Sequence, residues 1–146
     1  MPLVELHYKA NRGLMDLANE LAENLPGIVA PNLIVPERPR HDGEVLPEDI
    51  IVKIIQGGTH DVNCKDIEIV IFAHDFPERK ANLEERKEEI LKGVRAFIES
   101  YEAKRRKIVE SGPRRLHAIR KHSGSYEGQV SGFVWVLLVP TAFGQL

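Results

Sequence analysis

The sequence predicts an α/β protein made of two strand–helix–strand units, with one four-stranded sheet and both helices on one face. Three observations carry this expectation. β-Branched or strongly apolar runs stand at Ile50–Ile55, Ile67–Phe72 and Phe133–Val139, and a shorter alternating run opens the chain at residues 2–8. Each pair of runs is separated by one stretch whose apolar residues recur at helical spacing. In both halves the long insert falls between the helix and the second strand.

Residues 2–8 set Val4 against Leu3 and Glu5, the alternation of a strand. Leu14, Leu17, Ala18, Leu21, Ala22 and Leu25 then form one helical stripe, and Pro26-Gly27 is expected to end it. Residues 26–47 hold Pro26, Pro31, Pro36, Pro39 and Pro47 and read as a stiff irregular excursion. Pro47-Glu48-Asp49 leads into the second strand, which Gly57-Gly58 stops. After the third strand, Asn82 with Glu85 three residues on reads as a capped helix start, and Ile90, Leu91, Val94, Phe97, Ile98 and Tyr101 give that helix its apolar face. A last strand, 133–139, is stopped by Pro140.

A chain of 146 residues suits one domain, 1–146, with half one at 2–56 (insert 26–45) and half two at 66–140 (insert 104–132). Hydrophobic residues make up 42% and charged residues 29%, the composition of a folded protein and not of a disordered one. No apolar run reaches the length of a membrane span, and no secretory signal is legible, so a cytoplasmic protein without membrane contact is expected. The single cysteine, Cys64, excludes an intrachain disulfide and a multi-cysteine metal site. His60, His74, His117 and His122 match no metal-ligand spacing, so no metal is expected, nor any other cofactor.

Charge is uneven. Between Lys104 and His122 eight cations face one acid, Glu110, whereas the whole chain carries a net charge of −2. Such a stretch can hold phosphates, but one nearby aromatic, Tyr126, is thin for base stacking. A solvated helix end is the plainer reading, and nucleic acid is not the expected partner.

The residue with the most chemical consequence is Pro2. Removal of Met1 would leave a secondary amine on a rigid ring, whereas inside a chain the same nitrogen is an amide without basicity. An α-amino group titrates near pH 7.7–8.0, by about the reference values, and burial in an apolar site lowers that further. A general base works best with a pKa near the working pH. The plain alternative is a proline that merely opens an edge strand.

Pro2, the Leu46-Pro47-Glu48-Asp49-Ile50 entry into an apolar strand and the late Val134-Trp135-Val136, on a duplicated strand–helix–strand, resemble the tautomerase superfamily over residues 2–25, 46–103 and 133–143. The resemblance implies a homotrimer in which the amino-terminal proline moves a proton on a small enol or keto acid. It also implies that Arg12, ten residues after Pro2, holds a substrate carboxylate, and that Arg79, after the third strand, is a second anion-binding residue. The tyrosine and acid that dehalogenating members use have no match: Leu137 and the tail Pro140–Leu146 stand there, so dehalogenation is not expected. The second reading is a non-catalytic homotrimer of the same fold that binds a partner or nucleic acid through its inserts, the basic 104–122 included.

Overall fold

Residues 2–10, 12–58, 60–111 and 130–140 are described by a computed structural model of the chain. The element order is β1 (Leu3–Tyr8), α1 (Arg12–Leu33), α2 (Arg40–Gly43), a single 3-10 turn at Pro47–Asp49, β2 (Ile51–Gln56), β3 (Ile67–His74), α3 (Pro77–Ala81), α4 (Leu83–Ser111) and β4 (Gly132–Val139).

The strands form one mixed sheet in the order β2-β1-β3-β4. β1 pairs with β2 in parallel and β3 with β4 in parallel, while the central pair β1–β3 is antiparallel. Each parallel pair is joined through a long helix, as a parallel connection requires. Alternation fixes which face is dry. Val4, Leu6 and Tyr8 of β1 and Ile67, Ile69, Ile71 and Ala73 of β3 are buried in one core with Leu14, Leu17, Leu21 and Leu25 of α1 and Ile90 and Val94 of α4. α1 and α4 pack on each other and cover that face together.

Helix α1 differs from the expectation that Pro26-Gly27 ends it. It runs on to Leu33 with Pro26 and Pro31 inside. A proline in a helix interior costs about 3 kcal/mol, but Val29, Ala30 and Leu33 continue the buried stripe. Burial of a valine or leucine is worth about 1.5–3 kcal/mol each. Pro31 lies on the exposed side, where the carbonyl it deprives of a partner can meet water. The first insert is therefore regular helix up to Leu33. The second shows the same departure: residues 104–111 continue α4, and Lys104, Arg105, Arg106 and Lys107 are helical. The rest of the basic stretch, with Arg114, Arg115, Arg120 and Lys121, lies outside the described residues.

Asn82 stands directly before α4, as expected of a helix start, and its carbonyl accepts the Arg86 N–H at 3.1 Å. It also ends the short α3, and its Oδ1 accepts a hydrogen bond from Nε of Arg86 at 2.6 Å.

Among the described residues no helix covers the second face of the sheet. Ile51 of β2, Leu3 of β1, Phe72 of β3 and Leu137 of β4 lie in one cross-strand row, and Lys53, Glu5, Val70 and Trp135 in the next. Phe133, Trp135 and Leu137 are 46%, 51% and 44% exposed. That is a contiguous apolar surface with a charged pair, Glu5 and Lys53, in register.

Candidate functional site at the amino-terminal edge

β1 and β2 begin, and β3 and β4 end, at the same edge of the sheet. Pro2 is buried there, and its carbonyl accepts a hydrogen bond from the Ile51 amide at 3.1 Å. The backbone of Asp75 closes the neighbouring corner by donating to the Val139 carbonyl at 3.2 Å. The carboxyl end of α1 and the whole of α3 arrive at this edge as well. Their contact is made by arginines.

Arg79 is 2% exposed. Its Nε and Nη2 donate to the Leu33 carbonyl at 2.9 and 2.7 Å, and its Nη1 donates to the His74 carbonyl at 3.1 Å. Arg86 Nη1 donates to the Asn32 and Ile34 carbonyls at 2.7 and 2.9 Å. The two guanidiniums thus satisfy carbonyls that the end of α1 leaves open and sit at the negative end of its dipole. Burial, followed by the charges of Arg86 and Arg38, pushes the Arg79 pKa down to about 10. At neutral pH it is still a cation.

Phe76 is the hub of the corner. The Arg38 guanidinium carbon lies 4.0 Å from the ring centroid and that of Arg79 lies 4.7 Å from it. His74 stacks on the same ring with centroids 5.8 Å apart. Cation–π contacts of this kind favour keeping guanidiniums over the ring face. Arg38 also donates from Nε and Nη2 to Oε2 of Glu78 at 3.2 and 3.1 Å. Lys80 Nζ pairs with Oδ2 of Asp75 at 2.8 Å, while Oδ1 of Asp75 is buried with no hydrogen-bond partner among the described residues. Desolvation lowers the His74 pKa, and the positive charges of the amino terminus and Arg79 act in the same direction.

Of the residues expected to form a site, Pro2 and Arg79 share this edge. Arg12 opens α1, and its side chain is outside the described residues. His74, Phe76 and Arg38 join the corner without having been singled out for it. For His74 a signal existed: it closes the third strand in the parity of Phe72, which places it on the open face. Arg38 lies in the proline-rich stretch Pro36-Glu37-Arg38-Pro39, which carries no periodicity to read. Among the described residues no three His, Cys, Asp or Glu side chains gather to hold a metal ion, and no helix is long and apolar enough to cross a membrane.

Fold and site together define an α+β protein with an open four-stranded sheet and a cationic, aromatic corner beside its first residues. No family model, curated protein or solved structure matches the chain.

Proposed function

We propose that the chain is a proline-based tautomerase or isomerase that moves a proton on a small enol or keto acid. Once Met1 is removed, the Pro2 amine takes a proton from the carbon α to a carbonyl. The enolate is held by a cation, and the proline returns the proton to another carbon of the same π-system. The observation that carries the reading is the position of Pro2. It is buried at the head of a central strand, beside a corner that holds Arg38, Arg79 and Lys80. Burial disfavours the protonated amine, and the neighbouring cations act in the same direction. The same cations favour a carboxylate substrate. Arg12 is the carboxylate clamp in this reading.

The duplicated fold and the homotrimer belong to the same proposal. An apolar face bearing Phe133, Trp135 and Leu137, left open by the described residues, is what a subunit interface of a trimer would bury.

The test uses a sample whose intact mass shows loss of Met1. Ketonisation of phenylpyruvate enol and of 2-hydroxymuconate is compared with Pro2→Ala. Positioned acid–base catalysis is worth about 10²–10⁴-fold, and a loss in that range is expected. Equal rates in the two proteins refute the assignment. Light scattering at micromolar concentration checks the assembly, and a stable monomer removes the trimer from it.

A further inference from the structure

The sheet ends at β4, and among the described residues no strand pairs with its outer edge. The bonds to β3 tell which backbone groups are left over. The Ser131 carbonyl accepts from the Ile67 amide at 3.1 Å, and the Val139 carbonyl accepts from the Asp75 amide at 3.2 Å. The N–H and C=O of one strand residue point to the same side, and the side alternates along the strand. Odd-numbered residues of β4 therefore bond to β3, while Gly132, Val134, Val136 and Leu138 hold their N–H and C=O outward. Edge strands are usually blunted by a charge or a proline. β4 has neither from Gly132 to Val139, whereas β2, at the other edge, carries Lys53.

We propose that β4 pairs antiparallel with β4 of a second copy of this chain, around a two-fold axis at Trp135. Two sheets then join into one, and two α4 helices pack over the joint. The inference goes beyond the tautomerase reading and does not rest on Pro2.

The register follows from satisfying the edge. Centred on Trp135, the pairing sets Val134 opposite Val136 and Gly132 opposite Leu138, so every outward N–H and C=O of both strands finds a partner. A centre at Val134 or Val136 would leave Leu138 or Gly132 unpaired. Trp135 then meets Trp135 of the second copy in a pair without mutual hydrogen bonds, with Cα atoms about 4.5 Å apart. Phe133 meets Leu137. These side chains, half exposed in one chain, form one apolar strip across the joint.

The helix layer supplies the rest of the contact. A groove of about 680 Å³ lies between α4 and β4, with Leu91 and Ile98 on the helix side and Val134 and Val136 on the strand side. Continuing the sheet across the edge sets the second α4 two strand spacings away, about 10 Å, the distance at which helices pack. The two-fold runs it antiparallel to the first. Leu91 of each copy then meets Ile98 of the other. Lys87 stands four residues before Leu91 and Glu102 four after Ile98, so Lys87 of each copy is level with Glu102 of the other. Both line the groove, and Oε1 of Glu102 is buried there with no hydrogen-bond partner among the described residues. The same register sets Glu84 level with Arg105, Glu88 with Tyr101 and Glu99 with Ile90, so carboxylates of the two copies are not opposed.

The experiment combines sedimentation with the single tryptophan of the chain. At micromolar concentration the wild type should sediment as a dimer, or as a hexamer where the open face joins three copies as well. A monomer or a trimer overturns the proposal. The paired Trp135 rings should give an exciton couplet in far-ultraviolet circular dichroism that fades on dilution. Val136→Pro removes an outward N–H and none that bonds to β3, a placement that edge strands tolerate. It should halve the mass of the assembly, and a folded Val136→Pro of unchanged mass overturns the edge pairing.

Charge reversal tests the helix layer. Lys87→Glu and Glu102→Lys should each raise the dimer Kd by about tenfold, because the two-fold repeats every contact. The double variant should restore it. Within one helix the two positions are about 22 Å apart, so rescue comes only from a second copy. Single variants with the wild-type Kd, or a double variant no tighter than the singles, overturn the register. If Val136→Pro does not fold, the charge swap decides alone.

Discussion

Arg79 offers the sharpest separation between holding the fold and holding a substrate. Consider Arg79→Met, which keeps a flexible apolar stem and deletes the guanidinium. The Leu33 carbonyl loses both of its donors, whereas the His74 carbonyl keeps the Phe76 N–H at 3.0 Å. A buried acceptor left without a partner costs about 1–3 kcal/mol. Loss of the contact with Phe76 adds about 0.5–2 kcal/mol. Against this, a buried cation no longer has to be desolvated, which offsets part of the cost. The net expectation is a destabilisation of about 1–3 kcal/mol, within the range for breaking a buried polar network. With a urea m-value of about 2 kcal/mol/M, the midpoint should fall by about 0.5–1.5 M at fixed protein concentration. Arg79→Lys should lie between, because an ammonium keeps the charge but loses the planar fork that reaches both carbonyls. A midpoint for Arg79→Met within about 0.3 M of wild type would refute the structural role. An unchanged midpoint joined to a raised KM would instead make Arg79 the substrate-binding residue that the family resemblance implies.

Two further outcomes follow from single contacts. A Cβ on Gly132 would lie 2.5 Å from the Ile67 carbonyl oxygen, and that backbone has little room to move because Ser131 is bonded to Asp66 at 2.9 Å. Gly132→Ala should lower Tm by about 3–10 °C, overpacking by about 1–3 kcal/mol outweighing the smaller gain in backbone entropy, and a raised Tm in calorimetry would contradict the contact. The Glu78 carboxyl is held below its usual value by its own backbone N–H and by Arg38, so its folded pKa is depressed. Its contribution to stability is present above the unfolded pKa and is lost as pH falls through the folded one. The gap in urea midpoint between wild type and Glu78→Gln should therefore close on acidification, and a gap that stays constant with pH would show that the ion pair with Arg38 is idle.

How much of this was legible in the sequence depends on whether local or distant physics decides each feature. The four strands were legible because alternation and β-branching are local, and the burial of Val4, Leu6, Ile69 and Ile71 follows their parity. The two long helices were legible through their stripes, but their ends were not. Proline at positions 26 and 31 is a local stop signal, overridden by burial of Val29 and Leu33 and by two arginines from α3 and α4 that close the end of α1. No window around Pro26 contains Arg79 or Arg86. The site divides in the same way. Pro2 announces itself by its place in the sequence. His74 and Arg38 become neighbours of that edge only through the antiparallel pairing of β1 with β3 and the packing of α1 on α4. The same arginine that ends α1 also anchors the backbone of His74, through its bond to that carbonyl. Arg79 therefore ties the end of α1 to the end of β3, at the edge where Pro2 is buried. In the tautomerase reading a variant of Arg79 should move both the urea midpoint and kcat, whereas Pro2→Ala should move kcat far more than the midpoint.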